Sequence, residues 1–216
     1  MIGSQRLKVC GLTRAADIAI AQSLGIDYFG INCWEGSSRF VAEKKREVLL
    51  REIPTGARIA VTVNPSVAQA LALRAEGFDI VQVHFDPQAA NCDVVALSQS
   101  LTPAHLWFAP KVAPGNPFPE NLISLAQGLL QDAYKVDAFG GTGQQADWSL
   151  FEKTVKSHPQ HLWILAGGLG PTNVLAASRL GAGCLDLNSG IELSPGLKSA
   201  EKLALIWQEL LKNTQS

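Results

Sequence analysis

The chain has 216 residues, 47% of them apolar and 17% charged, which is enough to bury a sizeable core and excludes a disordered or fibrous protein. Its 18 basic and 19 acidic side chains leave a formal charge of -1, so no general field draws it to nucleic acid or to an anionic membrane, and any anion site must be local. No segment approaches the roughly 20 apolar residues that span a bilayer, and no signal-peptide run opens the chain, so a cytoplasmic protein is expected.

Short runs rich in Val, Ile and Leu recur about every 27 residues, each followed by a segment with helical spacing, the alternation of parallel strands linked by helices. The runs predict strands near 6–10, 26–32, 57–63, 79–84, 105–112, 129–133, 162–166 and 184–188. Eight such units close a single (β/α)8 TIM barrel, one domain over 1–216. An open doubly wound sheet usually carries G-x-G-x-x-G after its first strand, and here that strand runs into Lys8-Val9-Cys10-Gly11-Leu12-Thr13.

Reactive residues at the C-terminal ends of barrel strands are the first to test for chemistry. Lys8 and Cys10 are two apart on strand one and so share a face, where an ammonium favours a thiolate. Free Cys is also a common core residue, and both readings stand for Cys10 on composition alone. Cys33, Cys92 and Cys184 form no C-x-x-C pair with it or with each other, which suggests neither zinc nor a disulfide framework.

After strand two, Arg39 in Ser37-Ser38-Arg39 either grips a carboxylate or is a surface residue. Lys44, Lys45 and Arg46, interleaved with Glu43 and Glu47, read as a solvated helix face. Ser66 is placed to cap a helix that Gly77 ends. Gln82 and His84 share the inward face of strand four, the histidine as a ligand contact or as a satisfied core residue.

Asp132 follows the apolar end of strand six, where a carboxyl can give or take a proton, with a surface aspartate as the other reading. Phe139-Gly140-Gly141-Thr142-Gly143 reads as a loop over the mouth or as a plain connection, ahead of a helix beginning near Trp148. Glycine turns after strand seven, at Gly167-Gly168, and after strand eight, at Ser189-Gly190, offer backbone N–H groups to a phosphate. Pro171 is expected to open a helix that reaches Leu180, with Gly181 beyond it, and Leu203, Ile206, Trp207 and Leu210 form the packing stripe of the last helix.

Taken in order, KVCGLT at 8–13, SSRFV at 37–41, VQVH at 81–84, GGTGQQADW at 140–148, LAGGLGPTNV at 165–174 and DLNSGIELSPGLK at 186–198 resemble phosphoribosylanthranilate isomerase. That family is the barrel enzyme of tryptophan biosynthesis, within the ribulose-phosphate-binding barrels. The resemblance implies an Amadori rearrangement of N-(5-phosphoribosyl)anthranilate with no metal or organic cofactor. It implies Cys10 as general base and Asp132 as general acid, Asp137 being the weaker candidate for the acid. It implies Arg39 on the anthranilate carboxylate, and Gly143, Gly167, Gly168, Ser189 and Gly190 on phosphate. Lys8, Gln82, His84, Gly141 and Asp186 complete the expected substrate contacts. The implied partner is this small molecule alone, with no nucleic acid or membrane, in a monomer or homodimer.

Two stretches depart from the family pattern. Asn32-Cys33-Trp34-Glu35-Gly36 stands where the family usually has a Phe and a Pro, and Phe85 stands where it usually has Gly after the strand-four His. Both are expected to border the anthranilate pocket. Another sugar-phosphate isomerase on the same barrel, or a non-catalytic sugar-phosphate-binding barrel, are the alternative readings.

Overall fold

Eight short β-branched and leucine-rich runs form strands β1 (Arg6–Val9), β2 (Tyr28–Asn32), β3 (Arg58–Val63), β4 (Ile80–Phe85), β5 (Leu106–Pro110), β6 (Gly128–Gln131), β7 (Leu162–Leu165) and β8 (Cys184–Leu187). Every neighbouring pair is parallel, and β1 pairs with β8 to close the barrel. The computed structural model describes residues 5–133 and 147–212.

Alternation along each strand divides the core in two. Inward positions such as Ile59, Val61, Ile80, Trp107, Leu130, Ile164 and Cys184 fill the barrel. Outward positions such as Leu7, Phe29, Val81, Phe108, Leu129 and Leu185 pack beneath the helices. The helices are α1 (Ala15–Ser23), α2 (Glu43–Glu52), α3 (Val67–Ala75), α4 (Val94–Leu101), α5 (Trp148–Ser157), α6 (Val174–Ser178) and α7 (Ala200–Lys212). None of them is long and apolar enough to cross a membrane.

The capping expectation at α3 is met in full. Ser66 Oγ accepts from Gln69 N at 3.2 Å, Gln69 Oε1 accepts from Ser66 N at 2.8 Å, and Gly77 takes φ +105° past the helix end. Helix α7 buries Leu203, Ile206 and Leu210, with Trp207 packed alongside.

Three expectations are corrected. The β5-to-β6 connection holds a 3-10 segment, Glu120–Leu125, in place of an α-helix: Pro114, Pro117 and Pro119 bar a helix from the first part of the connection and leave only a short stretch before β6. Helix α6 is short: Asn173 uses its side chain to bind Gly170 N and Gly168 O, so Pro171 lies in the turn before it. Arg46 does not face solvent; its fork meets Glu76 at 2.7 and 2.6 Å, and Nη1 donates to Val41 O.

Phe85 supplies a fourth. Since His84 faces the barrel interior, the next residue must face the helices, and Phe85 is buried there, edge-to-face on Phe108 at 5.5 Å. It does not border the mouth. Phe85→Ala is therefore expected to cost about 3–5 kcal/mol of stability by emptying a packed site, read by urea unfolding, while KM stays within about twofold of wild type if the fold holds.

Candidate active site

The reactive groups lie where β-strands hand over to loops at the C-terminal rim. Cys10 is the first residue after β1 and Asp132 the first after β6. Two strands, β7 and β8, separate them around the barrel, so they approach the mouth from different sides.

Lys8 lies fully buried one inward position below Cys10. Its Nζ donates to Asp186 Oδ2 at 2.7 Å on the adjacent strand and, across the interior, to Gln82 Oε1 at 2.9 Å on β4. Burial disfavours the ammonium, but the Asp186 charge and hydrogen bond outweigh it and hold Lys8 protonated well above its ordinary range. Because Gln82 accepts through Oε1, its amide must donate to His84 Nε2, 2.8 Å away. That leaves His84 neutral with its proton on Nδ1; burial, then the Lys8 charge, hold its pKa down at about 3. The chain Asp186–Lys8–Gln82–His84 thus engages, inside the protein, groups that sequence reading assigned to substrate. Asp186 Oδ1 is the exception, buried and without a partner among the described residues.

This framework acts on Cys10 in opposing directions. Burial raises the thiol pKa, and Asp186 raises it further, while Lys8 and Lys198 lower it. The outcome is a rise, so Lys8 supports the thiolate as expected but does not dominate. Glycine makes the space: a Cβ at Gly30 on β2 would sit 3.1 Å from both Cys10 Sγ and Lys8 Cε.

Asp132 is partly buried. Loss of hydration raises its pKa to about 6, against the 2.7 Å hydrogen bond from Ala133 N, with Asp186 adding a smaller upward push. Gly167 fits against it at φ +92°, where a Cβ would meet Ala133 N at 2.7 Å and Asp132 Oδ1 at 3.2 Å. The turns after β7 and β8 touch each other, since a Cβ on Gly190 would fall 2.0 Å from Leu169 O. Among the described residues, the backbone N–H groups of Gly167, Gly168, Ser189 and Gly190 have no acceptor. Such a cluster suits an anion.

Arg39 is not a free carboxylate grip. Its Nε donates to Glu192 Oε1 at 2.9 Å and its Nη2 to Glu192 Oε2 at 2.6 Å. Lys198, buried, donates to the same carboxylate at 2.8 Å and to Asn188 Oδ1 at 3.0 Å. Glu192 and Lys198 belong to a hairpin, β9 (Glu192–Ser194) and β10 (Leu197–Lys198), that sequence reading missed. Its one signal was Gly196, which supplies the φ of +84° at the hairpin turn. In the departure after β2, Trp34 lies over Gly36, where a Cβ would come within 2.3 Å of the ring. Gly141, Gly143 and Asp137 lie outside the described residues.

A parallel barrel with a thiol, a carboxyl of raised pKa and a cluster of open backbone amides at one rim is a (β/α)8-barrel enzyme for an anionic substrate. A family model described as N-(5'-phosphoribosyl)anthranilate (PRA) isomerase matches residues 7–209, and the chain belongs to that family. It is 34% identical over 210 residues to the N-(5'-phosphoribosyl)anthranilate isomerase of Trichormus variabilis, covering 95% of this chain and 98% of that protein. It is 35% identical over 206 residues to that of Bordetella avium, covering 92% and 91%. Among solved structures, the phosphoribosyl anthranilate isomerase of Thermus thermophilus superposes with a TM-score of 0.80 at 25% identity, over 97% of this chain and 100% of that one.

Proposed function

We propose that this enzyme rearranges N-(5-phosphoribosyl)anthranilate to 1-(2-carboxyphenylamino)-1-deoxyribulose 5-phosphate in tryptophan biosynthesis, with Asp132 as general acid and Cys10 as general base. The observation that carries the proposal is placement: a buried thiol directly after β1, above a lysine, and a carboxyl directly after β6 stand at one rim with two strands between them, so a base and an acid can address different sides of one sugar.

In this reading Asp132 gives its proton to the furanose oxygen as the C1–O bond breaks and the nitrogen lone pair forms an iminium. Cys10 then takes the proton from C2, whose bonding electrons pass to the C1–C2 bond and quench the iminium. The resulting enol tautomerises to the ketone. Asp132 loses one proton and Cys10 gains one, exchange with solvent returns both to their starting states, and substrate and product are isomers, so the equation balances without a co-substrate. The open amides at Gly167, Gly168, Ser189 and Gly190 take the phosphate, Arg39 takes the anthranilate carboxylate, and Asp186 Oδ1 accepts from a sugar hydroxyl. Lys8, Gln82 and His84 hold the base and Asp186 in place. A phosphorylated sugar does not cross a bilayer unaided, which supports a cytoplasmic location.

The direct test follows the fluorescence of freshly prepared phosphoribosylanthranilate. The purified enzyme is expected to remove it with kcat of about 1–10³ s⁻¹. Decay at the uncatalysed rate defeats the proposal.

A further inference from the structure

A guanidinium offers two edges to a carboxylate, one through Nε and Nη2 and the other through Nη1 and Nη2. In Arg39 the first edge is filled by Glu192, with contacts of 2.9, 3.2 and 2.6 Å. The Nη1 end has no partner among the described residues, and the side chain keeps 11% of its surface exposed. Glu192 is itself held from several directions: Lys198 Nζ and Gly196 N donate to its carboxylate at 2.8 and 3.0 Å, and Lys202 Nζ donates to its backbone oxygen at 2.7 Å. The arginine stem is fixed too. Gly11, directly after Cys10, sits at φ +68°, and a Cβ there would overlap Arg39 Cδ at 2.6 Å and Asn188 Oδ1 at 2.8 Å.

Resting on the isomerase reading above, we infer that Glu192 is a positioning residue that locks Arg39 side-on, so that its end-on edge meets the aryl carboxylate of the substrate. Arg39 then gives up its rotamer freedom during folding instead of during binding, which is the source of the affinity. The lock also ties Arg39 to Lys198 and Asn188, and through Gly11 to the loop that carries Cys10, so the carboxylate end of the substrate is registered against the base.

The charge balance makes the idea testable by sign. Glu192→Gln removes one negative charge beside Arg39 and Lys198, and attraction alone predicts tighter binding of an anion. Loss of positioning predicts weaker binding. For phosphoribosylanthranilate, E192Q is expected to raise KM by ~3- to 10-fold, with the larger share of the loss in KM and the smaller in kcat. The companion substrate is the adduct of aniline with the same sugar phosphate, which lacks the carboxylate. Its KM is expected to be equal in E192Q and wild type.

A general structural role raises KM for both substrates alike, and that result overturns the inference. So does a KM for phosphoribosylanthranilate that is unchanged or falls. Thermal unfolding of E192Q, expected to remain cooperative, shows that the compared proteins are folded; where E192Q does not fold, Glu192→Asp, which keeps the charge but shortens the reach, must show the same substrate-dependent rise or the inference fails. Wild type inactive on both substrates defeats the isomerase reading itself, whereas active wild type with parallel KM changes defeats only the role of Glu192.

Discussion

Asp132→Asn is expected to lower kcat/KM by about 10²- to 10⁴-fold, the usual contribution of one general acid, and yet to leave the protein more stable above neutral pH. The acid role needs a proton that Asn cannot release to the ring oxygen, so the loss falls on the chemical step and KM moves little. The stability effect follows from the same burial. The carboxyl pKa rises from 3.8 to about 6 on folding, chiefly through lost hydration. A group raised in this way favours the folded state fully below its unfolded value, and that contribution is lost as pH rises through the folded one.

By pH 8 the ionised carboxylate therefore costs the wild type about 1–3 kcal/mol, the lower end allowing for its partial exposure to solvent. Asn carries no such charge, and its amide oxygen can still accept from Ala133 N. Urea unfolding at pH 8 is expected to show the variant ahead of wild type, with the gap closing by pH 4. An equal gap at both pH values means that packing, and not ionisation, separates them. Activity close to wild type removes Asp132 from the role of acid.

The eight strands were legible because parallel strands buried on both faces must be continuous apolar runs, and each run occurs within two residues of the observed strand ends. Cys10, Asp132, Gly167 and Ser189 were legible for a related reason: strand ends in a barrel converge on one rim, so position in sequence translates into position at the mouth. Phe85 was misassigned although the needed signal was present, since strand parity puts it opposite His84. The Arg39–Glu192 pair was of another kind. Its partners stand 153 residues apart, no local spacing relates them, and only the closed barrel brings the hairpin after β8 beside the loop after β2. Arg46 failed likewise, through a partner, Glu76, just past the end of α3. The sign of the Cys10 shift was also beyond sequence. Lys8 two residues away argues for a thiolate, but burial and Asp186, both products of closure, oppose it and win.

That opposition governs the expected behaviour of Cys10→Ala. With the thiol pKa above its ordinary 9.0 and the carboxyl at about 6, the productive form, Asp132 protonated with Cys10 ionised, is a minority at every pH. Between the two values, raising the pH removes protonated Asp132 and creates Cys10 thiolate in equal proportion, so wild-type kcat/KM should be flat from about pH 6 to beyond 9. Below about pH 6 it should fall tenfold per pH unit, as thiolate is lost with no compensating gain of acid. Cys10→Ala is expected to lose about 10²- to 10⁴-fold at pH 7 and also to change the shape of the profile. Its residual activity depends on Asp132 alone, so it should decline above about pH 6 where the wild type stays level, and the ratio between the two enzymes should widen as pH rises. The removed side chain is small, and denaturation midpoints should stay close enough to assign the loss to chemistry. A Cys10→Ala enzyme that keeps the flat profile, whatever its absolute rate, shows that the proton on C2 goes to another group.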